Sequence, residues 1–368
     1  MIRSLLTALA CIFASTLPAL SVPGFTPNLV VTYKSIDGLD LYLDIFTPPG
    51  HQSTDSRAAV VLFHGGAWKT GDPTALHPQC EYFASRGLVA ISARYRLVLE
   101  VDPSYNGANP STAPQKCVQD AKSAIRYVRQ NADALGIDPT RVAAGGGSAG
   151  GQIAAAAGTL SLYDEPGEDL SISSRPNALL MLNAVFNNGP VDGWNHDVVI
   201  NYWEGFSPMN NIDANTPPTA VFLGTNDNLI PVSVAETYQS LMEAAGVRCE
   251  LHIYEGQAHG FFNYGRASYL SILRQMDEFL VSLGYMDAAS PGTAVDEWVT
   301  LSGDAAFSGG SELTNSPVTT DATEDCIAAN IAPVTLADGE FIQLTGTVTL
   351  DAPLSNGNFQ VGLFDGVS

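Results

Sequence analysis

Arg141-Val142-Ala143-Ala144-Gly145-Gly146-Gly147-Ser148-Ala149-Gly150-Gly151-Gln152 is the stretch on which the reading of this chain turns. Val142 to Ala144 reads as a short strand and Ala149 to Leu160 as an alanine-rich helix. Gly146-Gly147-Ser148-Ala149-Gly150, a G-x-S-x-G, lies between them. A strand that turns sharply into a helix brings the two backbones almost into contact. The neighbours must then be small, and the serine is pushed into the open. The helix N-terminus also favours negative charge on a reacting oxygen. Gly145, Gly147 and Gly150 spell a rival pattern, the G-x-G-x-x-G of dinucleotide sites. That pattern opens the first βαβ unit and is followed ~20 residues later by an acid ending the next strand. Here several elements precede it, and Asp164 and Glu165 fall in a loop. The serine reading is the stronger.

Working outward, the elements alternate. Asn28 to Tyr33 and Leu39 to Phe46 are strand-like, with Asp37-Gly38 as a hairpin turn. Leu39, Leu41, Leu43 and Ile45 alternate with polar positions, as in a half-buried strand. Val60 to Phe63 and Leu88 to Ala93 are continuous apolar runs, the pattern of buried parallel strands. Val118, Ala121, Ile125, Val128, Ala132 and Leu135 fall on one face of a helix over 115–135, which Gly136 and Pro139 stop. Strands at 178–184, 219–224 and 249–254 and helices near 232–245 and 267–283 complete an α/β pattern. That alternation predicts a mostly parallel central sheet with helices on both faces and an antiparallel start. Residues 186–216 follow neither period and hold Trp194, Tyr202, Trp203 and Phe206; they read as a pocket wall.

A serine nucleophile needs a base, and the base an orienting acid. His259, in Gly256-Gln257-Ala258-His259-Gly260-Phe261, lies in a loop between the last strand and last helix of this region. His252 falls within a strand, and His51, His77 and His196 have no matching context. Asp227 follows the strand Thr219 to Leu223, at the strand end where an open parallel sheet collects its reacting groups. Ser148, Asp227 and His259 therefore occur in the chain order expected of a Ser-Asp-His set on such a sheet. His64-Gly65-Gly66-Ala67-Trp68 follows the strand Val60 to Phe63. Backbone N–H groups of Gly65 or Gly66, with that of Ala149, are candidates for an oxyanion hole. Trp68, Trp194 and Phe261 are candidates to line a substrate pocket.

Composition bounds the rest. The 368 residues carry a net charge of −22, of which −12 falls on twelve acids from Asp287 onward, with no Lys or Arg there. Such a surface repels phosphate backbones and argues against nucleic-acid binding. The segment 287–368 reads as a linker and an acidic β-rich module, incomplete where the chain stops within a strand-like run. Arg3, the apolar run Leu5 to Leu17 and the small residues Ala19-Leu20-Ser21 predict a signal peptide over 1–21, hence a secreted or periplasmic protein with no membrane span. Its catalytic domain would cover 22–286. Export permits disulfides, and Cys80 with Cys117 is the pair the helices suggest. No CxxC or dense Cys/His cluster points to a metal.

Taken together, His64-Gly65-Gly66-Ala67-Trp68, Arg94-Tyr95-Arg96-Leu97, Asp138-Pro139-x-Arg141-Val142, Gly147-Ser148-Ala149-Gly150-Gly151, Gly224-Thr225-x-Asp227 and His259-Gly260-Phe261 resemble the α/β-hydrolase-fold esterases. The similar groups are the hormone-sensitive-lipase-like esterases and the bacterial carbohydrate or feruloyl esterases, over residues 28 to 285. Gly147 and Ala67 stand where the lipase-like group has Asp and a third Gly, which leans toward the carbohydrate side. The resemblance implies hydrolysis of carboxylic esters, short-chain or carbohydrate-linked, without metal or organic cofactor. Ser148 would be nucleophile, His259 base and Asp227 orienting acid. By analogy with modules on secreted enzymes, the tail would contact glycan. A serine peptidase of the prolyl-oligopeptidase type shares the triad order but carries a large N-terminal propeller, for which there is no room here. A hydrolase-like glycan-binding protein would have lost a triad member, and none is lost.

Overall fold

The computed structural model describes residues 25–107 and 109–288, together with the backbone of four short strands beyond them. The expected leader, and most of the expected tail module, lie outside the described residues.

Eight strands form one sheet: β1 (Leu29–Ile36), β2 (Leu39–Phe46), β3 (Arg57–Phe63), β4 (Val89–Ala93), β5 (Ile137–Gly147), β6 (Ala178–Leu182), β7 (Thr219–Gly224) and β8 (Cys249–Tyr254). Their spatial order is β1-β2-β4-β3-β5-β6-β7-β8. β2 runs antiparallel to both β1 and β4, and all later neighbours are parallel. Asp37 and Gly38 both take positive φ, 54° and 78°, the hairpin geometry that matches strand twist.

The helices are α1 (His77–Ser85), α2 (Val98–Val101), α3 (Ala113–Gln130), α4 (Ala149–Thr159), α5 (His196–Val199), α6 (Val232–Ala244) and α7 (Tyr269–Ser282). Two cores sandwich the sheet, as the pleat requires. Ala59, Val61 and Phe63 of β3 point into the core shared with α3, α4 and α6. Ala58, Val60 and Leu62 point the other way, into the core shared with α1 and α7. The apolar run Leu88 to Ala93 predicts a buried strand, and β4 is buried at every position, as are β6 and β7.

That division corrects one expectation. Cys80 belongs to α1 on one face and Cys117 to α3 on the other, so the sheet stands between them. Both are free buried thiols, as is Cys249. The Cys117 thiol donates instead to the Arg96 carbonyl at 3.2 Å.

The segment between β6 and β7 contains α5 and two 3-10 turns, Trp203–Gly205 and Pro208–Asn211. Its aromatics anchor it: Phe206 is buried and meets Tyr202 of the same segment, and Trp68 and Tyr163 outside it, edge-on. Tyr202 ties it to the loop before α3 by donating to the Ser111 carbonyl at 2.6 Å.

Beyond residue 289 the backbone forms a separate unit. In it β9 (Glu297–Ser302) pairs antiparallel with β12 (Cys326–Asn330), and β10 (Ala305–Phe307) with β11 (Leu313–Asn315).

Candidate active site

Ser148 joins β5 to α4 at φ 54°, ψ −120°, a conformation that L-residues adopt only under constraint. Its N–H donates to the Leu182 carbonyl at the end of β6, at 3.0 Å. Its carbonyl accepts from Gln152 at 3.0 Å, the first turn of α4. Behind the turn, helix and strand touch. A Cβ on Gly150 would lie 2.1 Å from the Phe63 carbonyl oxygen, so no side chain fits there.

Asp227 lies past the end of β7 and His259 past the end of β8, on loops that the sheet brings toward Ser148. Ser148 Oγ donates to His259 Nε2 at 3.0 Å, and His259 Nδ1 donates to Asp227 Oδ2 at 2.7 Å. The other Asp227 oxygen accepts from the N–H groups of Leu229 (2.9 Å) and Ile230 (3.0 Å). Burial alone would raise the Asp227 carboxyl, but the bonds from His259 and from these two N–H groups outweigh it and hold the group below its ordinary value. The carboxylate is thus charged throughout the neutral range.

The His64–Trp68 segment forms the facing wall. A Cβ on Gly65 would stand 3.4 Å from the Ser148 Cβ and 3.1 Å from the Gly147 carbonyl oxygen, a tight fit that a side chain could take only if the serine turn moved by a few tenths of an ångström. His64 is buried; its ring stacks on Tyr95 at 4.5 Å and its Nδ1 lies 2.8 Å from the Gly65 carbonyl. Tyr95 in turn donates to the His64 carbonyl at 2.9 Å. Desolvation lowers the His64 pKa, so the ring props the loop as a neutral group. Ala149 is the first residue of α4, where a helix N–H has no intrahelical acceptor.

The three pocket candidates separate. Trp68 is 1% exposed and Phe261 3%, and they belong to opposite cores. Trp194 is partly exposed and meets Trp68 edge-on at 4.9 Å. The other histidines are engaged elsewhere: His252 stacks on Phe222, and His77 Nε2 bonds Asp44 at 2.8 Å. Asp164 and Glu165, the acids a dinucleotide reading would need, pair with Lys122 and Lys34. No group of three or more His, Cys, Asp or Glu is arranged to hold a metal among the described residues.

Sequence reasoning missed Asn183. It follows β6 at φ 35°, fully buried, and its side chain reaches the His259 loop. The available signal was a polar residue at the end of the apolar run Ala178 to Leu182, beside the strands already credited with Ser148 and Asp227.

Comparison with known proteins follows the same lines. Residues 43–199 match the BD-FAE family and residues 196–285 the dienelactone hydrolase family. Over 264 residues the chain is 28% identical to carboxylesterase NlhH of Mycobacterium tuberculosis, covering 66% of this chain and 78% of that one. It is 27% identical over 240 residues to a probable isoprenylcysteine alpha-carbonyl methylesterase of Arabidopsis thaliana, spanning 48% of that protein. Among solved structures, Thermogutta terrifontis esterase 2 phosphorylated by paraoxon is 40% identical with a TM-score of 0.64, covering 71% of this chain and 95% of that one. The propionate-bound form of that esterase is 39% identical with a TM-score of 0.66, covering 73% and 98%. With its eight-stranded sheet and serine turn, the chain belongs to the α/β-hydrolase family as a carboxylic ester hydrolase.

Proposed function

We propose that the protein is an exported esterase for short-chain acyl esters that works through Ser148, His259 and Asp227. The observation that carries this reading is the unbroken hydrogen-bonded line from Ser148 Oγ through His259 to Asp227, at 3.0 and 2.7 Å. Ser148 Oγ attacks the ester carbonyl while His259 Nε2 takes its proton. The carbonyl oxygen, now negative, is held by the N–H of Ala149 and by that of Gly65 or Gly66, and one such donor is worth ~3 kcal/mol. The C–O bond then breaks, and the alcohol leaves with the proton from His259. Water, deprotonated by His259, attacks the acyl-enzyme and releases the acid and free Ser148. Asp227, charged and fixed by two N–H groups, keeps the His259 proton on Nδ1.

The short acyl preference is supported by propionate-bound and butyrate-bound structures of the Thermogutta esterase. The BD-FAE match favours a second class, carbohydrate-linked esters. Export rests on the composition of residues 1–21. The test is turnover of p-nitrophenyl acetate, butyrate and octanoate, of acetylated xylan and of methyl ferulate, by wild type and Ser148→Ala. Short p-nitrophenyl esters should be turned over by the wild type, and Ser148→Ala should lose roughly 10⁶-fold in kcat. Preference for octanoate over acetate and butyrate would sink the acyl assignment, and preference for the xylan would select the carbohydrate-linked class; an active alanine variant would sink the nucleophile.

A further inference from the structure

The end of β6 grips both halves of the site. The Leu182 carbonyl accepts from the Ser148 N–H at 3.0 Å, and the Val185 N–H donates to the Ser148 carbonyl at 3.3 Å. Between them Asn183 reaches the other way. Its Oδ1 accepts from the Gly260 N–H at 3.1 Å, and its Nδ2 lies 3.4 Å from His259 Nε2. A backbone N–H can only donate, so that contact fixes which end of the amide is the oxygen. The amide nitrogen must then face the ring. Nε2 consequently meets two donors, Ser148 Oγ and Asn183 Nδ2, and offers both its lone pair. Nδ1 carries the ring proton toward Asp227. Asn183 itself is held in its left-handed conformation by its own N–H, which donates to the Phe222 carbonyl at 2.8 Å.

We propose that Asn183 is a positioning residue that fixes the His259 ring and keeps its Nε2 unprotonated and open to the Ser148 proton. This rests on the reading of Ser148, His259 and Asp227 as the reacting set. The Oδ1 bond anchors the backbone beside the base, while the Nδ2 donor favours the form of the ring that accepts. Among the described residues, Asp227 is the charged group bonded to this ring.

Two variants separate the two contacts. Asn183→Ala removes both. Asn183→Asp keeps an acceptor for the Gly260 N–H but places a carboxylate opposite Nε2, where it favours a proton on the ring. Diethyl p-nitrophenyl phosphate serves as the probe, because one p-nitrophenolate is released for each serine that is phosphorylated. The wild type and both variants should release one equivalent per chain, and Ser148→Ala none. The burst rate and kcat on p-nitrophenyl butyrate should fall about 10- to 100-fold in Asn183→Ala with little change in KM, and further in Asn183→Asp. The aspartate variant should also reach its rate plateau at higher pH than the wild type. If alanine costs the chain its cooperative melt, Asn183→Ser takes its place. Rates within twofold of wild type, or an aspartate variant as fast as alanine with an unmoved pH profile, would leave Asn183 a structural anchor and overturn the proposal. A burst that survives Ser148→Ala would overturn the reacting set, and the proposal with it.

Discussion

At the scale of single residues, the site is a matter of which atoms carry protons. Asp227 presents one oxygen to His259 Nδ1 and the other to the N–H groups of Leu229 and Ile230. In Asp227→Asn the two N–H groups keep the amide oxygen, and the new NH₂ faces Nδ1. The ring must then carry its proton on Nε2, where it can no longer receive one from Ser148. We expect kcat to fall about 10⁴-fold, as in the corresponding change in trypsin, with the melt almost unchanged. The sign for pH follows from the lowered carboxyl. The wild type loses this carboxylate only as pH falls below the ordinary carboxylate range, so Asp227 contributes no loss of rate between pH 5 and 8. A kcat of Asp227→Asn near that of the wild type would refute the orienting role. Ser148, Asp227 and His259 could be singled out in the sequence because each sits next to a recognisable strand end. Asn183 also follows a strand end, but no motif marks it, and its partner loop lies 76 residues away, so its contact with His259 is seen only in the fold.

At the scale of elements, a buried ionic knot ties the early strands to the first long helix. Arg96, just after β4 and 1% exposed, makes a two-pronged bond to Asp120 of α3, both at 2.8 Å, and donates its own N–H to the same carboxylate at 2.9 Å. Lys34 of β1 joins it at 2.7 Å, and Glu165 completes the charge balance. Removing one partner of such a pair strands the others in a poorly solvated place. Asp120→Ala should therefore lower unfolding stability by about 3 kcal/mol or more in urea titration; a loss below about 1 kcal/mol would show that Glu165 and water suffice. The sequence legible at this scale was the apolar one. β7 and β8 fall at 219–224 and 249–254 as expected; β7 is an apolar run buried at every position, which announces itself without any period, whereas β8 is the half-buried edge strand of the sheet. The apolar spacing predicts a helix over 115–135, but α3 ends at Gln130, because Ala132 and Leu135 continue that spacing through a turn that is no longer helical. Residues 186–216 stayed illegible because their order comes from mutual aromatic contacts, not from a repeat.

At the scale of the whole molecule, the sheet is a partition. The periodicity around Cys117 predicts a helix there, and nothing in the sequence shows on which side of the sheet that helix, or α1 with Cys80, packs. The thiols are accordingly isolated: burial raises those of Cys80 and Cys117 and pushes Cys249 up to about 12. Iodoacetamide at pH 8 should leave all three unmodified in the native protein and label all three after unfolding, as read by peptide mass mapping. Labelling of any of them under native conditions would contradict the packing described above.

The strand order has a further consequence. β5, β6, β7 and β8 lie side by side, and the mutually hydrogen-bonded residues Ser148, Asn183, Asp227 and His259 leave those four strands one after another. Each strand surrenders its residue within a few positions of its end, and the longer connections begin only afterwards. The stretch that wanders from 186 to 216 is downstream of Asn183 and upstream of β7. The hydrogen-bonded set is thus fixed to the rim of the sheet, while the long connection over 186–216 lies outside the strand ends that carry it. A change confined to that connection alters none of these four residues and none of the strand ends from which they project.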